Sequence, residues 1–183
     1  LPNTYDGYYL YPEYKTSHLN PEYTRADEVI AGRESRVFKE AAEVIKAGKL
    51  GDKFHAISDA HAEMMIKVAE AIAFNTLGRF ILIVENNGAI ANMQDDAMVE
   101  VVCELGINGP RPMSVGNIPQ FYLGLLVQQV SCEKLLVDAY YEHSYQKALE
   151  AFTLNRLIND AKVARKILDA LIEANKGMWP ELK

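Results

Sequence analysis

The sequence predicts an α+β fold that is mainly helical and contains a small sheet. Apolar residues recur at helical spacing along several stretches of the chain, which is typical of amphipathic helices. A branched apolar run, RFILIVE at residues 79–85, is followed by Asn-Gly, which indicates a strand and a turn. No internal repeat or low-complexity tract interrupts this pattern.

Residues 1–23 are rich in tyrosine and proline. They hold six of the ten tyrosines and three of the seven prolines. Because Pro2, Pro12 and Pro21 each disfavour a helix, we expect an extended, aromatic-rich segment that packs against or lines something.

Two helices are predicted next. Thr24, with Asp27 three residues later, resembles a capping box, and Gly48 provides a helix end. A polar connection then leads to a second helix over residues 58–76.

The sheet is predicted from two apolar runs, residues 79–85 and 97–105. Whether they pair directly is left open, because the connection between them is too long for a tight hairpin. The following segment, GINGPRPMSVGN, contains three glycines and two prolines, and is predicted to be a loop.

The rest of the chain is predicted to be helical. Pro119 suits the first turn of a long helix that ends near Glu142, Ser144 can cap a helix over residues 145–154, and Asn159 can cap a last helix ended by Gly177. The long helix has more apolar residues than one stripe requires, so we expect the chain to form a homo-oligomer, as a dimer through this helix.

Composition excludes several classes of protein. The 183 residues are 49% hydrophobic and carry a formal net charge of −6, which disfavours disorder and broad nucleic-acid binding. We expect no membrane span, because no apolar run reaches the length of about 18 residues that one requires. Two isolated cysteines, Cys103 and Cys132, favour a reducing, cytoplasmic location.

Standard catalytic and cofactor motifs are absent. The chain contains no GxGxxG, Walker A, HExxH, GxSxG or CxxC sequence, so we expect it to hold no cofactor or metal by itself. His61 lies near Asp59 and Glu63, but the spacing favours an ordinary hydrogen-bonded histidine over a metal ligand.

Some features allow both a structural and a functional interpretation. The tyrosines of residues 5–14 could stack on a sugar, but an aromatic strap packed over helices is favoured. Arg25 lies in the first turn of its helix, where the helix dipole disfavours a cation, so it either helps to hold an anion or is simply solvated. The loops NNGAIAN (86–92) and GINGPRP (106–112) fit a functional role and ordinary turn chemistry equally well.

Several strings, taken together and in order, identify a resemblance. They are LPNTY, YYLYPEY, TRADEV, AIAFNT, ILIVENNGAI, NGPRP, VGNIP and ANKGMWPEL. This pattern resembles the C-terminal part of glycoside hydrolase family 4, and within it the 6-phospho-α-glucosidase branch. The resemblance implies the C-terminal domain, residues 1–183, of a lactate-dehydrogenase-like two-domain enzyme. The Rossmann half that holds NAD, and the residues that hold Mn²⁺ and protonate the leaving group, are missing from this chain.

The resemblance also implies a mechanism, which the family does not share with the usual two-carboxylate glycosidases. The sugar is oxidised at C3, the proton on C2 is removed, and the aglycone is eliminated from C1 before the steps reverse. Its substrate would be a phosphorylated disaccharide such as maltose 6-phosphate, and the isolated chain would be inactive.

Two site residues are implied in the same way. Tyr5, in the PNTY motif, matches the base that removes the C2 proton, and Arg25, in the TRADE motif, matches the arginine that binds the substrate. Three positions depart from the family pattern: Asp6 and Gly7 after Tyr5, and Ala91, which replaces a common proline. We expect Asp6 to oppose ionisation of Tyr5, Gly7 to loosen the segment, and Ala91 to soften a turn.

Two alternatives to this function stay open. The first is a 6-phospho-β-glucosidase or an α-galacturonidase of the same family, because elimination tolerates either anomer. The second is a non-catalytic module for sugar-phosphate binding or oligomerisation.

Overall fold

A computed structural model of the protein describes residues 6–49, 60–158 and 160–183. It confirms the predicted class, with seven helices and one three-stranded sheet among these residues. The chain divides into two compact units, Leu1–Ile66 and Lys67–Lys183.

The first unit opens with two short helices, α1 (Asp6–Leu10) and α2 (Pro12–Ser17). The prediction of an extended segment is therefore wrong for these residues. Pro12 occupies the first turn of α2, where the missing N–H has no helical partner to lose and the fixed φ angle suits a helix. A proline at this position starts a helix instead of breaking one.

Helix α3 (Arg25–Ala47) confirms the predicted caps. The Thr24 hydroxyl accepts a hydrogen bond from the Asp27 N–H, and the Asp27 carboxylate accepts one from the Thr24 N–H, which completes a capping box. At the other end Gly48 takes the left-handed conformation, with φ 65°, and its N–H bonds to Val44 and Ile45 carbonyls.

Helix α4 (Ala60–Phe74) leads to the sheet of the second unit. Two non-glycine residues after it, Asn75 and Leu77, have positive φ angles of 53° and 54°. The Asn75 side chain accepts a hydrogen bond from the Ile107 N–H at 3.1 Å, which ties the end of α4 to the turn between the second and third strands.

The sheet is antiparallel and has the order β1 (Gly78–Glu85), β2 (Met98–Gly106), β3 (Gly109–Pro112). The two predicted strands pair directly along their whole length, from Gly78 with Leu105 to Glu85 with Met98. The segment predicted to be a loop contains β3, so that prediction is wrong for residues 109–112. Met113 N–H donates to the Val102 carbonyl, so the backbone groups of Gly109 and Arg111, which alternate with the prolines, also point toward β2. The backbone groups of Pro110 and Pro112 point away from β2, where no N–H is needed.

One face of the sheet forms the first part of the core. The inward residues of β2 are fully buried, and they pack with the connection after β1 and with helix α5 (Gln120–Glu142). The buried members of this cluster are Ala89, Ile90, Met93, Ala97, Val99, Val101, Cys103 and Val130. Val130 of α5 is thus part of this core.

The remaining helices, α6 (Tyr145–Leu154) and α7 (Ala161–Ala174), form a second cluster with the end of α5. Ser144 caps α6 as predicted, with its hydroxyl accepting from the Lys147 N–H. Helix α7 is capped by Asp160, whose carboxylate accepts hydrogen bonds from two N–H groups of the first turn. Asn159, the predicted cap, lies outside the described residues. The helix ends at Ala174, before Gly177.

The C-terminal residues are attached to the connection between α5 and α6. Lys183 N–H donates to the His143 carbonyl at 2.7 Å, and Tyr145 N–H donates to the Lys183 carbonyl at 3.0 Å. In the parts of the chain that are described, each helix is too short or too polar to cross a bilayer.

Candidate functional site

Tyr5, the predicted base, lies outside the described residues, and the helix that follows it is described from Asp6. The neighbouring aromatic side chains interact locally. The Lys15 ammonium lies 6.0 Å from the centre of the Tyr8 ring, and the Tyr14 and His18 rings are 4.4 Å apart. Gly7 lies opposite this lysine, since a side chain at residue 7 would meet the end of Lys15.

Arg25 is the first residue of α3 and remains 73% exposed. Its guanidinium forms an ion pair with Glu28, one turn further along the helix. The adjacent Asp27 accepts hydrogen bonds from the Thr24 hydroxyl and the Thr24 N–H, which together hold the pKa of its carboxyl below its usual range. Because Arg25 already pairs with Glu28, a phosphate that reached Arg25 would have to share or replace this contact.

The loop after β1 is built around Asn86, the only fully buried polar side chain among the described residues. Its amide nitrogen donates to the carbonyls of Ile90, Met93 and Gln94, and its oxygen accepts from the Ile90 N–H at 2.7 Å. The side chain thereby closes residues 86–94 into a single rigid turn. The turn-chemistry interpretation accounts for Asn86.

Asn92 joins this loop to the segment before α5. Its amide donates to the Ile118 carbonyl and its oxygen accepts from the Ile118 N–H, at 2.9 Å and 3.0 Å. Ala91 N–H also donates to the Gly116 carbonyl, a bond that a proline at this position could not make. Ala91 thus joins the loop to Gly116 through a hydrogen bond, and the expected softening of the turn stays a prediction.

No group of three metal-ligating side chains occurs among residues 6–49, 60–158 and 160–183. Cys103 and Cys132 are free and buried, and burial raises the pKa of both thiols, so neither suits a metal site as it stands. The described residues thus do not fit Mn²⁺. The side chain of His61 lies outside the described part of the chain.

A cavity of about 800 Å³ lies between α5, α6, α7 and the C-terminal residues. Its wall is largely apolar, with Leu136, Phe152, Leu168 and Trp179 among the residues that form it. Its wall includes neither Arg25 nor the loop closed by Asn86, but it does include residues of the ANKGMWPEL string, among them Asn175 and Trp179.

The comparisons with known proteins agree with the motifs. The model of the family 4 glycosyl hydrolase C-terminal domain matches residues 1–158. A maltose-6'-phosphate glucosidase of Fusobacterium mortiferum is 53% identical over 184 residues, which cover 100% of this chain and 41% of that protein. The chain thus spans about two fifths of the length of this relative.

Solved structures give the same picture. A 6-phospho-α-glucosidase from gut microorganisms, in complex with NAD and Mn²⁺, is 84% identical with a TM-score of 0.93, covering 100% of this chain and 42% of that one. A second such enzyme, in complex with NAD and glucose 6-phosphate, is 50% identical with a TM-score of 0.92, covering 100% of this chain and 41% of that one. Among the curated proteins, a 6-phospho-β-glucosidase of Thermotoga maritima is 25% identical over 181 residues, which cover 96% of this chain and 42% of that protein.

Proposed function

Because the chain belongs to glycoside hydrolase family 4, we propose that residues 1–183 are the substrate-side and oligomerisation domain of a 6-phospho-α-glucosidase. The substrates would be phosphorylated α-glucosides such as maltose 6-phosphate. The observation that carries this proposal is that 6-phospho-α-glucosidases match the whole chain at about half its residues or more. The 6-phospho-β-glucosidases match less well: a probable one of Bacillus subtilis is 43% identical over only 52% of the chain, and that of Thermotoga maritima is 25% identical over 96%.

The cofactors are proposed to lie outside the described residues. A related solved enzyme contains NAD and Mn²⁺, and the described part of this chain has no group of three side chains that could hold a metal ion. We therefore propose that an N-terminal Rossmann half supplies both sites, and that this half is the chain's partner in the intact enzyme. Oxidation at C3 would occur there.

Tyr5 is proposed to remove the proton from C2 of the sugar, after which the aglycone leaves C1. With a reference pKa near 10, only about one tyrosine in a thousand is ionised at neutral pH. A nearby cation favours the phenolate and lowers this pKa, so Tyr5 can act as a base when the neighbouring half brings a divalent metal. This dependence explains why the base and the metal site would be shared between two parts of one enzyme.

Arg25 is proposed to bind the 6-phosphate of the substrate. Its planar guanidinium can donate two parallel hydrogen bonds to phosphate oxygens, and it lies at the positive end of α3. The Arg25–Glu28 ion pair is exposed, and exposed ion pairs contribute at most about 1 kcal/mol to stability. Exchanging the Glu28 carboxylate for a phosphate would therefore lose little free energy. We also propose that the enzyme works in the cytoplasm, where its two unpaired cysteines would stay reduced.

The division of labour between the two halves can be tested with the isolated chain. We expect the 183-residue chain, given p-nitrophenyl-α-glucoside 6-phosphate, NAD⁺ and Mn²⁺, to release no p-nitrophenol above background. The intact enzyme is expected to be active under the same conditions. Turnover by the isolated chain would contradict the proposal. If the intact enzyme hydrolysed only the β-anomer of this substrate, the 6-phospho-β-glucosidase alternative would be favoured.

Replacing Arg25 with Ala should weaken the intact enzyme's binding of phosphorylated substrates about tenfold or more, since a charge-assisted hydrogen bond contributes about 1.5–3 kcal/mol. Part of the loss should appear in kcat, because phosphate binding also positions the sugar. The measurement is kcat and KM with phosphorylated and unphosphorylated glucosides. Arg36→Ala is the matched control, since Arg36 is another exposed arginine of α3 that pairs with a glutamate, Glu40. Equal losses on both kinds of glucoside would show that Arg25 does not recognise the phosphate.

A further inference from the structure

The two edges of the sheet differ in how well they are protected. The β3 edge carries Pro110 and Pro112, which turn away from β2 and offer no N–H to another strand. The β1 edge is eight residues long, contains no proline, and has no partner strand among the described residues. In native proteins an open edge of this length is normally covered by another element or paired with another strand.

The backbone of β1 shows which of its groups are available. Asn86 N–H donates to the Ala97 carbonyl of the neighbouring segment, at 2.8 Å, in the same register as the strand pairing. In an antiparallel pair the direction of the backbone hydrogen-bonding groups alternates along each strand. The N–H and C=O groups of the even-numbered residues of β1 therefore point toward β2. The N–H and C=O groups of Arg79, Ile81, Ile83 and Glu85 therefore point toward the open edge.

The side chains of β1 are also less covered than those of β2. Phe80, Leu82 and Val84 face the core but are only half-buried, whereas the inward residues of β2 are fully buried. On the opposite face Ile81 and Ile83 are 58% and 68% exposed. Apolar surface on both faces of β1 thus lacks cover on the side of the open edge.

We infer that two copies of the chain pair through their β1 strands, antiparallel and centred on Leu82, to form one continuous six-stranded sheet. The segment RFILIVE is complementary to itself in this arrangement. Arg79 lies opposite Glu85 of the second copy, Ile81 opposite Ile83, and Phe80 opposite Val84. Each of these pairs occurs twice because the arrangement is two-fold symmetric.

The register is specified by the charges at the two ends of the segment. If each strand is shifted by one residue, Arg79 lies opposite Ile83 or Asn87 of the second copy, depending on the direction of the shift, and the two ion pairs are lost. In the inferred register the outward-pointing backbone groups also face one another, since Ile81 and Ile83 form a hydrogen-bonded pair. The occupant of this edge is therefore a second copy, by charge and by backbone pattern.

This inference rests on the self-association proposed above, but not on the glucosidase activity. It also assigns the contact to β1, whereas the sequence had suggested α5. Tyr122, Val137 and Tyr141 on α5 are exposed, but this set carries no charge pattern that complements itself.

Charge reversal tests the inference directly. R79E and E85R, made singly, each replace two attractive pairs with two repulsive ones, and we expect either to weaken the dimer roughly 10- to 100-fold in sedimentation equilibrium. The double variant R79E/E85R restores opposite charges in every pair and should return the dissociation constant to within about threefold of the wild type. Circular dichroism of each variant serves as the check of folding.

The double variant also separates the interface from effects within one chain. Arg79 lies opposite Glu104 of β2, so R79E introduces repulsion inside a single chain, and that repulsion remains in the double variant. Recovery of the dimer can then come only from contacts between copies. If the single variants dimerise like the wild type, or the double variant stays dissociated, the β1 interface is wrong. A wild type that remains monomeric at high micromolar concentration would overturn the self-association as well.

Discussion

Replacing Tyr5 with Phe is expected to lower kcat of the intact enzyme by roughly 10²- to 10⁴-fold with little change in KM, because a general base contributes a factor of this size. The substitution removes only the ionisable oxygen, so the ring and its contacts stay in place. Initial rates with p-nitrophenyl-α-glucoside 6-phosphate, NAD⁺ and Mn²⁺ provide the measurement.

Tyr8→Phe is the matched control for this variant. Tyr8 lies in the same segment and has Lys15 near its ring, so its ring environment is described and its hydroxyl is not needed for that contact. We expect Tyr8→Phe to retain activity close to the wild type. If Tyr5→Phe keeps the wild-type kcat, the base is another residue, and Tyr8 and Tyr9 become the candidates.

The second large effect is expected on stability, at Asn86. Asn86→Ala would leave the Ile90 N–H without its acceptor and remove the donor shared by three carbonyls, all in a buried loop. Because each unsatisfied buried group costs about 1–3 kcal/mol, we expect the free energy of unfolding to fall by about 3 kcal/mol. Urea denaturation of the chain, followed by circular dichroism, measures this change.

The neighbouring asparagine offers a control for this experiment. Asn87 is exposed, its side chain donates a hydrogen bond to Glu85 at the surface, and its positive φ of 39° suits glycine. Asn87→Gly should change the free energy of unfolding by no more than about 0.5 kcal/mol. Equal urea midpoints for Asn86→Ala and Asn87→Gly would show that the buried hydrogen bonds do not hold the loop together.

Local signals in the sequence were sufficient wherever the determining contacts are local. The capping box of Thr24 and Asp27 and the cap of Ser144 lie within three residues of their partners, and each was predicted from the chain. The strand at residues 79–85 was equally clear, because its branched apolar run precedes Asn-Gly. These elements depend on neighbours that can be read directly.

Features that depend on distant partners were missed. Strand β3 has four residues and two prolines, so its composition indicates a loop, and only pairing with β2 shows that the prolines face outward. Asn86 begins a loop whose Ala89, Ile90 and Met93 pack in one core with β2 and α5, and no local pattern contains that packing. Helix α2 was missed for another reason: Pro12 was taken as a helix breaker, although its position decides whether it starts or stops a helix.

Both residues of the candidate site, Tyr5 and Arg25, were predicted from the sequence, and the structure describes the surroundings of Arg25. Arg25 was singled out as a cation at a helix start, and it is found there, exposed and paired with Glu28. The roles of Tyr5 and Arg25 came from the resemblance to the family, because neither periodicity nor spacing identifies a base or a phosphate ligand. Both roles stay predictions.

The central claim is that this chain supplies the base that removes the C2 proton during hydrolysis. The most direct test is to run the reaction of the intact enzyme in D₂O and to analyse the released glucose 6-phosphate by mass spectrometry and NMR. Elimination followed by addition of water takes the proton on C2 into solvent, so we predict deuterium at C2 of the wild-type product and almost no such product from Tyr5→Phe. A product that keeps hydrogen at C2 while hydrolysis proceeds would contradict the claim, because direct displacement at C1 leaves the C2–H bond intact.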